Sequence, residues 1–228
     1  MKINILYSIE GANKAEGLAV VIDVFRAFST ACYLFDAGVA KIIPVADIDL
    51  AYKMKKDNPE FVLVGERDGK IQPGFDFGNS PWQIRDFVWK DKIVIHTTTA
   101  GTQGIINAVK VENVITGSFV NAKAIIDYIE SKNIKKISFI CTGTANEYIA
   151  NEDFLCAKYL SNALLKRKNN FDEIVNNLKQ DGFAHRFFDP SFDSHPEEDF
   201  YLCMQLNKFD FVLQTFGKKD GEIYLAKV

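Results

Sequence analysis

Asp23 and Arg26 stand three residues apart, where the apolar run Leu18-Ala19-Val20-Val21-Ile22 gives way to Ala27-Phe28-Ser29-Thr30. A carboxylate at such a place can hold a metal ion or a water. A guanidinium can grip an anion through two parallel hydrogen bonds. In an open α/β sheet the carboxyl end of a buried strand is where ligands bind. The same residues also have a plainer use, with the aspartate capping the next helix and the arginine reaching solvent. Taken alone, the segment leaves both readings open.

Further polar residues fall just after other strand-like runs. Val64-Gly65-Glu66-Arg67-Asp68-Gly69 sets an acid beside an arginine, and Gly74-Phe75-Asp76-Phe77-Gly78-Asn79-Ser80-Pro81 is a glycine-bounded loop. Ile95-His96-Thr97-Thr98-Thr99-Ala100-Gly101-Thr102, Gly117-Ser118-Phe119-Val120-Asn121 and Cys141-Thr142-Gly143-Thr144 repeat the placement. Hydroxyls and free amides at the start of a helix suit a phosphate or sulfonate, and they equally suit a turn that caps its own helix. Arg67, Asn79, Ser80, Thr97, Thr98, Thr99, Gly101, Thr102, Ser118 and Asn121 are therefore the candidate substrate-binding residues. Glu152 and Asp153 open an otherwise apolar helix, where acids commonly complement the helix dipole. Their functional reading joins them to Asp23 and Glu66 around Mg²⁺, which takes few protein carboxylates and keeps waters. Asp23, Arg26, Glu152 and Asp153 form the candidate catalytic set.

Several chemistries lack their motif. No lysine follows the glycine of the threonine loop as a Walker A sequence requires, and no G-x-S-x-G elbow occurs. Phe25 occupies the second acid's place in an Asp-x-Asp phosphatase motif. His96 reads as a core histidine or a ligand contact, whereas His185 and His195 fall in the polar stretch 181–199 and are expected at the surface. The four cysteines, Cys32, Cys141, Cys156 and Cys203, are scattered and predict buried reduced thiols.

The elements that must position these residues follow from hydrophobic patterning. Strands are predicted at 3–7, 18–22, 41–45, 61–64, 93–96, 114–116, 137–141 and 209–215. Helices are predicted at 25–37, 47–57, 121–131, 151–167 and 171–180. Capping boxes at Ser80-Pro81-Trp82-Gln83 and Ser194-His195-Pro196-Glu197 predict two more helix starts. Strands separated by helices imply a mostly parallel or mixed central sheet covered on both faces, a three-layer α/β/α sandwich. Residues 1–228 are expected to form a single domain, as one unit or with two lobes.

With 228 residues and 47% apolar content, the chain can bury a substantial core. Its 27 basic and 30 acidic residues are well mixed, for a net charge of −3, which argues against nucleic-acid and membrane partners. Apolar runs are strand-sized, and Met1-Lys2-Ile3-Asn4-Ile5 is too polar for a signal peptide, so a cytoplasmic location is expected.

Taken in order, Val21-Ile22-Asp23-Val24-Phe25-Arg26-Ala27-Phe28-Ser29-Thr30, Gly65-Glu66-Arg67, Pro73-Gly74-Phe75-Asp76-Phe77-Gly78-Asn79-Ser80-Pro81, Thr97-Thr98-Thr99-Ala100-Gly101-Thr102, Gly117-Ser118-Phe119-Val120-Asn121-Ala122 and Glu152-Asp153-Phe154-Leu155-Cys156-Ala157 resemble the 2-phosphosulfolactate phosphatase family. The resemblance runs from about residue 18 to 160, and residues 200–212 look like that family's closing helix and strand. It implies a Mg²⁺-dependent phosphatase that converts 2-phosphosulfolactate to 3-sulfolactate on a route toward coenzyme M, and assembly as a homodimer. On that reading Asp23, Glu66, Glu152 and Asp153 hold the metal, and Arg26 and Arg67 clamp the small phosphorylated, sulfonated acid. Thr97, Thr98, Gly101 and Thr102 hold its other face, and Asp23 or Asp153 orients the attacking water. Two rivals remain: a phosphatase for another small ester, and a protein that binds a dianion without turning it over.

Overall fold

Runs such as Leu18–Ile22 are apolar on both sides of the backbone and form strands buried on both faces. The computed structural model describes residues 1–108, 111–143, 150–217 and 223–228. In chain order its elements are β1 (Lys2–Tyr7), α1 (Ser8–Ala12), β2 (Leu18–Ile22), α2 (Ala27–Asp36), β3 (Lys41–Pro44), α3 (Ile48–Asp57), β4 (Val62–Gly65), β5 (Ile93–Thr97) and α4 (Gly101–Asn107). They continue with β6 (Val114–Gly117), α5 (Ala122–Ser131), β7 (Lys136–Cys141), α6 (Asn151–Leu164), α7 (Phe171–Lys179), α8 (Glu197–Cys203), β8 (Leu213–Phe216) and β9 (Tyr224–Lys227).

Among the described residues nine strands make one mixed sheet in the order β1-β7-β2-β6-β8-β9-β3-β5-β4. Two parallel blocks flank the antiparallel hairpin β8–β9. The hairpin joins them narrowly, through Ile115↔Gln214 on one side and Ile42↔Leu225 on the other. Strand alternation sorts the core. Ala19 and Val21 of β2 share one cluster with Ile42, Val64 and Val94 of the other block, beneath α2 and α4. Leu18, Val20 and Ile22 point the opposite way, toward α5 and α6. Ile43, Leu63 and Ile95 pack on that opposite face of the second block, against α3. The fold is a three-layer α/β/α sandwich, as patterning predicts.

The sheet is far from flat. Five strand spacings would hold β2 and β5 about 24 Å apart, more than the three residues between β5 and α4 can bridge. Yet a Cβ placed on Gly101, the first residue of α4, would come within 2.7 Å of Asp23 Oδ2 and 2.8 Å of Ala27 Cβ. The sheet therefore curls around the shared core and brings the carboxyl ends of β2, β4 and β5 together.

Several expected elements differ. The last predicted strand begins late, because Asn207 N and Phe209 N donate to Phe119 O and Val120 O and tie that segment to a 3₁₀ turn. α1 and β9 are absent from the prediction; each is short and lacks a repeating apolar stripe. No α-helix follows Ser80. Trp89 Nε1 donates to Ile84 O at 2.7 Å and takes the carbonyl that a continuing helix would use. The Ser80 hydroxyl does accept from Gln83 N at 3.2 Å, half of the expected box, whereas the box at Ser194 does not form: α8 has no side-chain cap, and Ser194 Oγ lies 2.9 Å from His195 Nδ1 instead. A reciprocal capping box does form between Ser118 and Asn121.

Candidate active site

The curled sheet leaves a cavity of about 590 Å³ where the strand ends meet, lined by residues that include Asp23, Arg26, Glu66, Asn79, Thr99, Arg186 and His195. Another cavity of about 570 Å³, between α3, α4 and the β8–β9 hairpin, is walled mostly by aliphatic side chains and offers no comparable chemistry.

Asp23 follows β2 directly and is 7% exposed. Its Oδ1 accepts from Ala27 N at 2.9 Å and so caps α2, which leaves Oδ2 for the cavity. Capping and cavity lining are thus combined in one carboxylate. Burial, then the charge of Glu66, raises its pKa to about 6. Behind it stand Glu152 and Asp153 in the first turn of α6, both buried. Asp153 Oδ1 accepts from Val24 N at 2.9 Å and Oδ2 from Gly143 N at 3.3 Å. Burial first, then Asp23 and Glu152, holds Asp153 well above the ordinary carboxylate range. Glu152 is raised to about 8, by burial and then by Asp23 and Asp181. Thr142 Oγ1 lies 3.5 Å from both Asp23 Oδ2 and Asp153 Oδ2. The same hydroxyl lies closer to Ile22 O, at 3.1 Å, so its single proton is divided among three acceptors.

The opposite wall is basic. Arg26 is 4% exposed and does not reach solvent. Its Nη1 donates to Asp199 Oδ2 at 2.7 Å and to Ser194 O at 2.8 Å. Asp199 Oδ1 in turn accepts from Ser80 Oγ and Trp82 N, each at 2.9 Å. Arg186 donates through Nε to Phe183 O, stacks its guanidinium on the Phe183 ring, and places Nη1 3.2 Å from His195 Nε2. His195, expected at the surface, is 7% exposed. His96 is fully buried; its Nε2 meets Asn79 Oδ1 at 3.2 Å, which turns the Asn79 amide nitrogen away from that contact. Burial lowers the His96 pKa to about 4.

The remaining expected residues serve each other. Glu66 accepts from Thr99 N, Thr99 Oγ1 and Gly69 N. Arg67 is not part of the cavity lining; it donates to Glu66 O, Ala46 O and Thr97 Oγ1. Thr98 and Thr102 exchange backbone and hydroxyl hydrogen bonds. Gly101 is where α4 approaches Asp23 too closely for a side chain. Ser118 Oγ contacts Ser29 Oγ at 2.6 Å, Asn121 caps Ser118, and Ser80 holds Asp199. Thr144 lies outside the described residues.

Arg186, His195 and Asp199 escaped sequence reasoning. Arg186 and His195 sit in a polar stretch that reads as surface, and Asp199 follows Glu197-Glu198 like an ordinary first-turn acid.

The fit to a metal ion is partial. Among the described residues no three His, Cys, Asp or Glu side chains are grouped to hold one, so Asp23, Glu66, Glu152 and Asp153 do not form a cage. Burial raises Asp23, Glu152 and Asp153 alike, and the charge of Asp23 adds to the other two; this marks uncompensated negative charge, which suits a cation bound by one or two carboxylates and water. Among the described residues no helix is long and apolar enough to cross a membrane.

A family model described as 2-phosphosulpholactate phosphatase matches residues 4–217. A probable 2-phosphosulfolactate phosphatase of Clostridium perfringens strain SM101 is 32% identical, over 98% of this chain and 96% of its own. One of Bacillus subtilis strain 168 is also 32% identical, over 90% and 88%. One of Carboxydothermus hydrogenoformans is 39% identical, over 74% and 69%.

Proposed function

The chain belongs to the 2-phosphosulfolactate phosphatase family, and on that premise we propose that it hydrolyses 2-phosphosulfolactate to 3-sulfolactate and inorganic phosphate, with Mg²⁺ as its cofactor. The observation that carries the reading is one cavity that sets the buried Arg26 and the half-buried Arg186 opposite Asp23, a carboxylate with a raised pKa that meets Asp153 at Thr142. A substrate bearing phosphate, sulfonate and carboxylate needs more than one fixed cation, and guanidinium groups bind such oxyanions through paired donors.

Arg26 and Arg186 take the phosphate and the second strong acid. Arg26 keeps Nε and Nη2 for the ligand, since its protein bonds run through Nη1. The Asn79 amide adds a neutral donor. Asp153, which meets Asp23 at Thr142, would hold Mg²⁺ with water completing its shell, and the bound ion would neutralise charge on the phosphoryl oxygens. Asp23 Oδ2, with a pKa of about 6, orients the attacking water and accepts its proton. The P–O bond to C2 breaks, and the departing oxygen takes up a proton to become the hydroxyl of sulfolactate. Homodimeric assembly is part of the same proposal, and sedimentation measures it.

The test is phosphate release from 2-phosphosulfolactate beside phosphoglycolate, phospholactate and sugar phosphates, with Mg²⁺ and with EDTA. Metal-dependent release that is fastest on the sulfonated ester is expected. Faster release from another ester would change the substrate, and no release from folded, Mg²⁺-supplied protein would overturn the proposal.

A further inference from the structure

Ser194 and His195 touch both arginines of the basic wall. Ser194 O accepts from Arg26 Nη1 at 2.8 Å, and His195 Nε2 lies 3.2 Å from Arg186 Nη1. A guanidinium has only donors, so Nε2 must be the bare, accepting nitrogen. Nδ1 then carries the ring proton, and Ser194 Oγ accepts it at 2.9 Å. This fixes both the tautomer and the direction of each bond.

The ring cannot easily turn away. Phe187 and Phe192 meet it edge-on, with centroids at 5.5 and 6.3 Å. The backbone of the Glu66 loop closes the remaining side: a Cβ on Gly69 would fall 2.6 Å from His195 Cε1. Arg186 is held at the same time by Phe183, through its ring and its carbonyl, so the His195 contact completes its orientation.

Resting on the phosphatase reading above, we propose that His195 is a positioning residue: its Nε2 sets the Arg186 guanidinium, and Ser194 beside it sets Arg26, so two adjacent residues fix the spacing of the anion-binding pair. Charge supports the geometry. Burial, then Arg26 and Arg186, lowers the His195 pKa to about 3, so the ring stays neutral and Nε2 stays an acceptor at ordinary pH. An imidazolium there would face two guanidinium groups and have no lone pair to offer either.

Amide side chains separate this role from mere packing. Gln places a carbonyl oxygen near the position of Nε2, whereas Asn reaches only as far as Nδ1. The experiment measures inorganic phosphate binding by calorimetry, in Mg²⁺ buffer, for wild type, His195→Ala, His195→Asn and His195→Gln, together with KM and kcat on 2-phosphosulfolactate. Loss of a bond to a charged partner should weaken phosphate binding and raise KM about tenfold in the Ala and Asn variants, with kcat within about threefold. Gln should recover most of the affinity. Phosphate binding that weakens in Ala and returns in Gln, in a protein that hydrolyses no sulfonated ester, would support the positioning role while removing the substrate assignment. Wild-type affinity in His195→Ala, a Gln variant as weak as Asn, or no phosphate binding by wild type would overturn the proposal. If the Ala variant fails to fold, the Gln and Asn pair decides alone.

Discussion

The two walls of the cavity treat charge in opposite ways. On the basic wall each arginine has a fixed partner: Asp199 and a carbonyl for Arg26, a carbonyl and a neutral ring nitrogen for Arg186. On the acidic wall burial raises the proton affinity of Asp23, Glu152 and Asp153, the charge of Asp23 raises the other two further, and their partners are backbone amides and a hydroxyl shared with Ile22 O. The basic wall is held in place without a ligand, with donors of Arg26 left over for one. The acidic wall is not balanced in this way, and that imbalance is what a cation or a transferred proton can relieve.

The contrast breaks most sharply at Asp23. Asp23→Asn keeps the Oδ1 cap of α2 but removes the ionisable Oδ2, and phosphate release should fall by about 10²- to 10⁴-fold with no loss of melting temperature. Near-normal turnover would move the chemistry off the acidic wall. Asp199→Ala attacks the other side. It strands Arg26 in a buried site and should cost about 3–5 kcal/mol, read in a urea titration, with loss of substrate affinity. Unchanged stability would mean that Arg26 finds another partner.

A thermal melt against pH sharpens the comparison. Unfolded Asp and Glu lose their protons near pH 3.8 and 4.5, whereas the folded site keeps them to about 6 at Asp23 and about 8 at Glu152. Over that interval the folded state binds more protons, so stability should fall as pH rises from about 4.5 to 8 and then level. Glu152→Gln should flatten the slope. Mg²⁺ favours the ionised carboxylates, so it should raise the melting temperature more at pH 8 than at pH 5. At a hundredfold excess over Kd the gain is about 2.7 kcal/mol, or roughly 5–10 °C in a chain this size. Equal shifts at the two pH values would remove the metal from the acidic wall. The smallest effect belongs to Arg67, whose donors are spent on the protein. Arg67→Ala should cost about 1–3 kcal/mol in stability and leave KM within about threefold. A large rise in KM would return it to the anion site.

These outcomes bear on what a sequence discloses. Alternating strands and helices were readable because inner strands such as β2 are apolar on both sides and helices such as α5 carry a stripe. Asp23, Arg26, Glu66, Asn79 and Thr99 were readable as strand-end residues, and all line the cavity. Thr97, Thr98 and Thr102 carry the same signature but satisfy one another and the helix, because a hydroxyl-rich turn suits an anion and a cap equally. Arg186, His195 and Asp199 gave no signal. Asp199 meets Arg26 across 173 residues of chain, and no local spacing records such a contact.

The narrow hairpin between the sheet blocks also bears on synthesis. β8 and β9 follow the other seven strands in the chain, yet they occupy the middle of the sheet. Until they leave the ribosome, β6 and β3 are open edges, and the two parallel blocks have nothing between them to pair with. Unpaired edges recruit other chains. A nascent chain halted before Leu213 would therefore be sticky rather than partly active, and closure of the cavity waits on these two strands.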